Sequence, residues 1–405
     1  MPSIPPEGEP APLNGGLPAS ALAHLGARPF AVYVHVPYCA TRCGYCDFNT
    51  YTADELGPGV SRASYADQAI AEVRLARRVL GERDLPVSSV FVGGGTPTLL
   101  PSGDLGRILA AVRDEFGLVP GAEVTTEANP DSVDAAGLRR LRDDGFTRVS
   151  FGMQSTAQHV LAVLERTHTP GRAVDAVADA RAAGFEHVNL DLIYATPGET
   201  EADFAASLEA ATSSGADHVS AYSLIVEDGT RLAARIRRGE LPDVDDDVAA
   251  DRYVQADEAL TTAGLEWYEV SNWARPGGEC RHNLSYWRGD DWWGVGPGAH
   301  SHVGGVRWWN VRHPSSYADR IAADQSPAQA RELLSDADRR VEDVLLRVRL
   351  REGLPLSLLD GAGLDVAARA VDDGLADPAA YALGRVVLTR RGRLLADALV
   401  RDLLD

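Results

Sequence analysis

Three cysteines lie close together in the segment YVHVPYCATRCGYCDF, residues 33–48. Cys39, Cys43 and Cys46 have the spacing Cys-x3-Cys-x2-Cys and follow a short apolar run that is typical of a β-strand. A 4Fe–4S cluster that only transfers electrons usually takes four thiolates, so a set of three keeps one iron open to a small molecule. The triplet therefore predicts a 4Fe–4S site with one open position, on a loop that follows a strand.

Other uses of cysteine fit this chain less well. Free cysteines are often buried and inert, and a structural zinc site prefers four ligands in paired Cys-x2–4-Cys motifs. The remaining cysteine, Cys280, is far away along the chain. Four cysteines in 405 residues are also too few for a disulfide framework. A 4Fe–4S site is the preferred interpretation, with inert free thiols and a zinc site as the alternatives.

Short apolar segments alternate with helical patterns between residues 30 and 270. The predicted strands are Ala31–Val36, Ser89–Gly93, Glu123–Glu127, Arg148–Phe151, His187–Ile193 and His218–Leu224. The predicted helices include Tyr65–Leu80, Leu105–Phe116, Ala135–Asp144 and Phe204–Ser213. Such alternation favours an α/β fold with a parallel sheet and crossover helices. Six βα units predict a partial (β/α)6 barrel, because a closed TIM barrel needs eight, and a doubly wound sheet is the alternative.

The pattern divides the chain into four regions. Residues 1–28 are rich in Pro, Gly and Ala and predict a flexible lead-in, without the basic and apolar regions of a secretory signal. Residues 29–270 carry the barrel pattern. Residues 271–310 are a Trp-rich segment, and all seven tryptophans fall between Trp267 and Trp309. Residues 311–405 predict a smaller, mainly helical domain that resembles a winged helix at its end.

Charge limits the range of partners. The formal net charge is −20, and all 39 basic residues are arginine. Such a surface should repel nucleic acid and anionic membranes, so no nucleic-acid partner is expected. No apolar run approaches the roughly 20 residues of a transmembrane segment. Oxidisable thiols without a secretory signal predict a cytoplasmic location.

Polar residues end several of the predicted strands. The run Gly93–Gly95 and Thr96 follow the second strand, Glu127 and Gln154 end the third and fourth, and Asp191 lies in the fifth. Ligand-binding groups of parallel βα folds lie at the carboxyl ends of strands. Glycines let backbone groups approach a ligand closely, and an acid in an apolar strand is costly unless paired. Each residue alone is equally compatible with a cap or a buried hydrogen bond, but their joint placement predicts a ligand site.

These motifs resemble the oxygen-independent coproporphyrinogen III oxidase family of the radical S-adenosylmethionine (SAM) superfamily, over residues 30–405. The matching residues are Tyr33, Gly94, Gly95, Thr96, Glu127, Gln154, Arg166 and Asp191. The resemblance implies that SAM fills the open iron position and that Tyr33 packs on it. It also implies that Arg166 pairs with the SAM carboxylate, that Gln154 and Asp191 hold the ribose hydroxyls, and that the glycine run holds the amino group. In the family, an electron from the cluster cleaves SAM to methionine and a 5′-deoxyadenosyl radical.

Two features distinguish the branches of this family. The true oxidase has a further cysteine two residues after the third cluster ligand, where this chain has Phe48. The residues that match the His-Asn-x-x-Tyr-Trp motif of the HemW-type heme chaperone branch are His282, Asn283, Tyr286 and Trp287. The resemblance implies heme binding there, with His282 as the first candidate for an iron contact and His300 and His302 as alternatives. Without the resemblance, such an aromatic cluster is more often core packing than a cofactor site, although flat rings suit a flat macrocycle.

The sequence thus predicts a heme chaperone that binds a 4Fe–4S cluster, SAM and heme and transfers heme to an acceptor, expected among the respiratory heme proteins. The alternative is a coproporphyrinogen III oxidase of porphyrin biosynthesis. Whether the chain is an enzyme stays open, because the radical SAM residues are present but the oxidase cysteine is absent. A non-catalytic, zinc-stabilised binding module is the third and least favoured hypothesis.

Overall fold

The computed structural model of the chain describes residues 8–56 and 60–404. The strands are β1 Glu9–Pro10, β2 Phe30–Val36, β3 Val87–Gly94, β4 Leu118–Ala128, β5 Arg148–Gln154, β6 His187–Tyr194, β7 His218–Ser223, β8 Glu266–Glu269, β9 Asn272–Ala274, β10 Asp291–Val295, β11 His300–Val303, β12 Val306–Asn310, β13 Ala328–Leu333, β14 Leu354–Pro355 and β15 Arg385–Val386. The helices are α1 Ala19–Ala23, α2 Arg62–Leu80, α3 Asp104–Phe116, α4 Ala135–Asp144, α5 Gln158–Val163, α6 Arg172–Ala182, α7 Glu201–Ser213, α8 Arg231–Arg237, α9 Asp246–Thr262, α10 Arg281–Arg288, α11 Pro314–Ala322, α12 Asp336–Arg347, α13 Gly361–Asp372, α14 Pro378–Ala382, α15 Arg390–Leu394 and α16 Ala396–Leu404.

The predicted six-stranded partial barrel is confirmed. Strands β2 to β7 are hydrogen-bonded in chain order, and each neighbouring pair is parallel. Nearly every residue of β2 and β5 is buried, because the helices cover one face of a parallel sheet and the barrel interior holds the other. All carboxyl ends of these strands meet at one edge, where the predicted ligand residues lie.

Local signals explain where the helices begin and end. The Asp134 side chain accepts a hydrogen bond from the Gly137 N–H and caps α4, and Gly145 ends that helix at φ +109°, a conformation that favours glycine. Thr200 and Asp203 form a reciprocal capping box at the start of α7. The helices therefore begin and end close to the predicted positions.

The sheet continues beyond the barrel on both sides. Strand β10 pairs in parallel with β2, and β11, β12 and β13 follow it as an antiparallel extension. On the other side, β9 pairs with β7 and β8 pairs with β9, both antiparallel. The Trp-rich segment thus forms strands of the main sheet, together with helix α10.

The N-terminal segment differs from the predicted flexible lead-in over the part that the structure describes. Strand β1 pairs with β13, and Ala21 of α1 is buried in the main core. The edge strand β13 has unpaired backbone groups that β1 satisfies, which explains the ordering. Residues 1–7 of the predicted lead-in lie outside the described residues.

The C-terminal residues form a smaller, mainly helical unit. Its own hydrophobic core runs from Val344 to Leu403, and β14 and β15 form a separate two-stranded sheet. Strand β13 lies within the predicted helical region but pairs with β12, so the second core begins later in the chain than residue 311. The reason is that β12 needs a partner along its free edge.

A buried ion pair joins this unit to the barrel. Arg393 of α15 contacts both carboxylate oxygens of Asp257 of α9 at 3.0 Å, and their side chains are 8% and 5% exposed. Arg390 and the indole N–H of Trp273 also contact Asp257, at 2.6 and 2.9 Å. The Arg393 guanidinium stacks 4.5 Å from the ring centre of Trp267. This network fixes α15 against α9.

No helix in the described part of the chain has the length and apolar character needed to cross a bilayer.

Candidate functional site

The three predicted cluster cysteines line one cavity. Cys39, Cys43 and Cys46 lie on the loop after β2, are half-buried, and form no disulfide with any described residue. The cavity measures about 350 Å³ and lies at the carboxyl ends of the barrel strands. Within the described residues, no three His, Cys, Asp or Glu side chains come close enough to hold a single metal ion. In a 4Fe–4S cluster each thiolate binds a different iron, so such convergence on one ion is not required.

The glycine run brings backbone close to the cysteine loop. A Cβ on Gly95 would lie 2.5 Å from the Tyr38 carbonyl oxygen and 3.0 Å from Cys39 Sγ, so only glycine fits there. The N–H groups of Gly95 and Thr96 donate to the carbonyls of Val36 and Tyr38, at 2.8 and 2.7 Å. These bonds fix the start of the cysteine loop against the end of β3.

Burial favours the protonated form of two of these thiols, those of Cys39 and Cys46. It raises the pKa of Cys39, where the neighbouring Cys43 adds to the rise and hydrogen bonds with Thr96 and Thr50 oppose it. Burial also raises the pKa of Cys46 to about 11. Since thiolates are the ligands, metal binding at this loop would release protons.

Most of the predicted SAM residues line the same cavity as the cysteines. They are Gly94, Gly95, Thr96, Glu127, Gln154, Arg166 and Asp191. Arg166 lies between two groups of the site: its Nη1 is 3.6 Å from Cys43 Sγ and its Nη2 donates to the Gly152 carbonyl at 3.0 Å. Tyr33 differs, because it lines two neighbouring cavities instead, and its hydroxyl lies 2.9 Å from His35 Nδ1.

Two carboxyl groups that line this cavity, Glu127 and Asp191, lie close enough to influence each other's ionisation. Burial raises the pKa of Glu127 to about 8, and the nearby Asp191 adds to the rise, whereas a 3.0 Å hydrogen bond from the Gly94 N–H opposes it. Burial also raises the pKa of Asp191, against hydrogen bonds from Ser150, Ser220 and Asn189. Glu127 is therefore mostly protonated at neutral pH and can donate a hydrogen bond.

Sequence reasoning missed the residues that orient Asp191. Ser150 Oγ donates to one carboxylate oxygen at 2.9 Å, and Asn189 Nδ2 donates to the other at 2.7 Å. Asn189 and Asp191 are two residues apart on β6, so both point to the same face of the sheet. The alternation of polar and apolar residues in Asn189-Leu190-Asp191 could have indicated that Asn189 and Asp191 lie on the same face of the strand.

The cavity has features that suit SAM. Buried atoms Gln154 Oε1 and Arg166 Nε have no hydrogen-bond partner among the described residues. Gln154 also has φ +60°, an uncommon and strained conformation that often marks a ligand site. A polar ligand that accepts a hydrogen bond from Arg166 and donates one to Gln154 would satisfy both atoms. The absence of a side chain at Gly95 keeps space free beside the cysteine loop. The residues present thus fit the cofactor that the resemblance implies.

Helix α10 carries the His-Asn-x-x-Tyr-Trp residues and is anchored inside the barrel. The Glu123 carboxylate of β4 accepts hydrogen bonds from the backbone N–H groups of Arg281 and His282, both at 3.0 Å. Although burial opposes ionisation, Arg148 and these N–H groups lower the pKa of Glu123. A negative charge at the amino end of a helix is stabilising, so Glu123 fixes where α10 begins.

The four motif residues have different surroundings. His282 is 1% exposed, with Nδ1 2.9 Å from Ser89 Oγ and Nε2 2.9 Å from the Tyr286 hydroxyl. His282, Asn283 and Tyr286 line a small polar cavity of about 180 Å³ inside the barrel. Asn283 and Trp287 lie beside the buried Glu269 carboxyl. Tyr286 is the motif residue that also reaches a second, larger cavity.

That larger cavity measures about 730 Å³ and is lined mainly by aromatic and aliphatic side chains. The apolar surface comes from residues such as Tyr286, Trp292, Trp309, Leu345 and Leu346, and the charged residues Glu127, Arg307, Glu332 and Glu342 also line the cavity. Phe48, Gly94 and Glu127 line both this cavity and the one that holds the cysteines, so the two cavities are neighbours. We call it the aromatic cavity.

Comparisons with known proteins agree with this geometry. The model of the radical SAM superfamily matches residues 33–211. The chain is 56% identical over 384 residues to a Mycobacterium tuberculosis H37Rv protein named heme chaperone HemW, covering 95% of this chain and 97% of that protein. It is 34% identical over 333 residues to heme chaperone HemW of Escherichia coli K12, covering 81% of this chain and 84% of that protein.

A solved structure shows the same fold. The coproporphyrinogen III oxidase HemN from Escherichia coli, described as a radical SAM enzyme, matches with a TM-score of 0.80 and 24% identity, over 95% of this chain and 92% of that chain. Its fold extends over both the barrel and the C-terminal unit. From its identity to relatives along nearly its whole length, this chain belongs to the HemW family of the radical SAM superfamily.

Proposed function

We propose that this chain is a heme chaperone that binds a 4Fe–4S cluster, SAM and heme and passes the heme to an acceptor protein. The observation that carries the proposal is the aromatic cavity beside the cysteine cavity, with Phe48, Gly94 and Glu127 on the shared boundary. A mostly apolar cavity with few polar groups is typical of a site for a large flat ligand. The names of the relatives support the same function.

The cysteine loop and the strand ends would hold the cluster and SAM. Cys39, Cys43 and Cys46 are the proposed cluster ligands, and Arg166 would pair with the SAM carboxylate because a guanidinium binds carboxylates in a fixed geometry. Gln154 and Asp191 would bind the ribose hydroxyls. The cluster, when bound, supplies one-electron chemistry to SAM, and the protein residues orient SAM and exclude water.

The remaining residues of the SAM site would set its shape. Gly94 and Gly95 allow a backbone approach that a side chain would block, as the clash at Gly95 indicates. Thr96 and Glu127 complete the wall, and Glu127 also lines the aromatic cavity. We propose that Tyr33 acts from the neighbouring cavity, where its hydroxyl holds the His35 ring.

We also propose that the protein that accepts the heme is a respiratory heme protein.

A radical SAM oxidase remains the second candidate, since the fold of HemN extends over nearly the whole chain. The residue at the place of the oxidase cysteine is Phe48, and its side chain lies at the boundary of the two cavities. A phenyl ring cannot donate a proton or a hydrogen atom as a thiol can. Phe48 therefore favours a carrier of heme over an enzyme that decarboxylates a porphyrinogen.

Anaerobically reconstituted protein is expected to bind about one heme per chain and to form no protoporphyrinogen IX from coproporphyrinogen III. Heme titration followed by the Soret band measures the first part. The second is measured with SAM and a reductant present, and the Escherichia coli coproporphyrinogen III oxidase is the positive control. Steady formation of product would assign the chain to the oxidase function, and absence of heme binding would contradict the chaperone function.

Arg166→Ala and Asp191→Ala are expected to weaken SAM binding without loss of the cluster. Loss of a charged hydrogen bond in a partly buried site costs about 1.5–3 kcal/mol, which is roughly a ten- to hundredfold change in affinity. Isothermal calorimetry on preparations with equal iron content measures this change. Arg142→Ala is the matched control, because Arg142 pairs with Glu186 on the outer surface. Equal affinities in all four proteins would show that Arg166 and Asp191 do not contact SAM.

A further inference from the structure

Three histidines line the aromatic cavity: His35, His300 and His302. A heme iron needs a histidine nitrogen that has a free lone pair and faces the bound ring. This requirement argues against an imidazole whose two ring nitrogens are both engaged in hydrogen bonds, and the same criterion applies to His282 of the motif.

His35 and His282 have both ring nitrogens engaged. His35 Nδ1 lies 2.9 Å from the Tyr33 hydroxyl, its Nε2 lies 2.9 Å from the Asn49 carbonyl oxygen, and the residue is 2% exposed. His282 contacts Ser89 and Tyr286 with its two nitrogens. An iron bond at either residue would break a buried hydrogen bond and leave a partner unsatisfied, which disfavours both as ligands.

His300 differs from both. Its ring nitrogens make no hydrogen bond to any residue that the structure describes, and its side chain is half-buried at the cavity wall. The ring lies parallel to Trp309, 26° between planes and 5.9 Å between centres. The His300 carbonyl accepts the indole N–H of Trp292 at 3.0 Å, which fixes the backbone that carries the imidazole.

The sheet register places these groups on one face. His300 is paired with Trp309 across β11 and β12, and His302 is paired with Trp292 across β10 and β11. His300 and His302 are two residues apart, so both side chains point to the same side of β11. His302 Nδ1 lies 3.0 Å from the Asp290 carbonyl, whereas its Nε2 makes no hydrogen bond to a described residue. The residue is 8% exposed and lies deeper than His300, so burial, and not hydrogen bonding, ranks His302 below His300 as the iron ligand.

On the basis of the proposed function, we infer that His300 binds the heme iron in the aromatic cavity and that His282 is a positioning residue for the cavity wall. His282 holds the Tyr286 hydroxyl, and the Tyr286 ring packs edge-on against Trp292 with 4.7 Å between ring centres. The motif thus acts on the heme through Tyr286 and Trp292. The small cavity beside His282, about 180 Å³, is too small for a tetrapyrrole that the 730 Å³ cavity can hold.

The test compares the cluster-loaded parent with His300→Ala, His302→Ala and His282→Ala at matched iron–sulfur content. Heme is titrated, and difference absorption spectra of the oxidised and reduced forms report the axial ligand. His300→Ala is expected to lose the histidine-ligand spectrum, and added imidazole is expected to restore it. His282→Ala is expected to keep the parental spectrum while its affinity falls roughly tenfold, as for loss of a group that orients a ligand. His302→Ala is expected to keep the parental spectrum.

The outcomes separate two failures. If the parent binds no heme, the proposed function is wrong. If the parent binds heme but His300→Ala keeps the parental spectrum, only the assignment of the ligand is wrong. The same conclusion follows if His282→Ala or His302→Ala loses the histidine-ligand spectrum and added imidazole restores it. If His300→Ala does not fold, His300→Met retains bulk at this position, and a changed spectrum in that variant supports the assignment while an unchanged one overturns it.

Discussion

Replacing Cys39, Cys43 or Cys46 singly with alanine is expected to abolish the brown 4Fe–4S absorbance. Iron and acid-labile sulfide after anaerobic reconstitution should fall from about four of each per chain to near zero. The reason is that three thiolates are the only protein ligands that this loop offers, and all three line the cavity beside Arg166. Two remaining thiolates would leave two irons without a protein ligand.

Cys280→Ala is the matched control for this prediction. Cys280 is 2% exposed, and its Sγ lies 3.4 Å from Glu123 Oε1 inside the barrel. Burial raises its pKa above the usual range, so it is an inert thiol. This variant should keep the parental iron and sulfide content. Parental iron in any one of the three loop variants would remove that cysteine from the ligand set, and loss of iron in Cys280→Ala would add a fourth ligand.

Asp257→Ala is expected to lower the free energy of unfolding by about 3–5 kcal/mol, because it leaves a buried guanidinium without its partner. Arg393 is 8% exposed, and both of its contacts to carboxylate oxygens go to Asp257. The Trp273 indole would lose its acceptor as well, and Arg390 would lose one of its two carboxylate partners, keeping Glu258. Since Asp257 joins α9 to the C-terminal unit, the loss should loosen that junction first.

Urea denaturation followed by tryptophan fluorescence measures this effect, because Trp267 and Trp273 lie at the junction. Arg340→Ala is the control. Arg340 pairs with Asp360 on the surface, and both side chains are about half exposed, so its loss should cost less than about 1 kcal/mol. The double variant Asp257→Leu/Arg393→Met should recover most of the lost stability, since no unpaired charge remains. Similar midpoints for Asp257→Ala and Arg340→Ala would contradict a stabilising role of the pair.

The barrel could be predicted from the sequence because its signals are local. Apolar runs of strand length between helical patterns predicted six strands. The structure extends five of them at one or both ends, as with Ala31–Val36 inside β2, and ends the sixth, β7, one residue earlier than predicted. Helix α4 has the predicted bounds, Ala135–Asp144, and Asp134 and Gly145 cap its two ends in the structure. The three cysteines and most predicted SAM residues meet in one cavity, because parallel strands bring all their carboxyl ends to one edge.

The strands of the Trp-rich segment depended on tertiary structure. The strands between residues 291 and 310 are short and aromatic, and β10 pairs with β2, as Asp291 does with Phe30, across 261 positions of the chain. No local pattern encodes such a register. The aromatic cavity exists only after β10, β11 and β12 take this register and α12 brings Leu345 and Leu346 over it.

The chain by itself determined which chemical groups are present: three closely spaced thiols, strand-end acids, arginine and glycines, and a histidine-bearing aromatic motif. Only the tertiary structure decided which of them are available to a ligand. His282 carries the motif, yet Ser89, which is distant in sequence, and Tyr286, one helical turn away, occupy its two nitrogens. His300 lies outside the His-Asn-x-x-Tyr-Trp motif and was predicted only as an alternative iron contact, yet its imidazole lines a cavity and has no hydrogen-bond partner among the described residues. The physical reason is that residue type and spacing fix what a side chain can bind, whereas distant partners brought in by folding fix whether it is already bound.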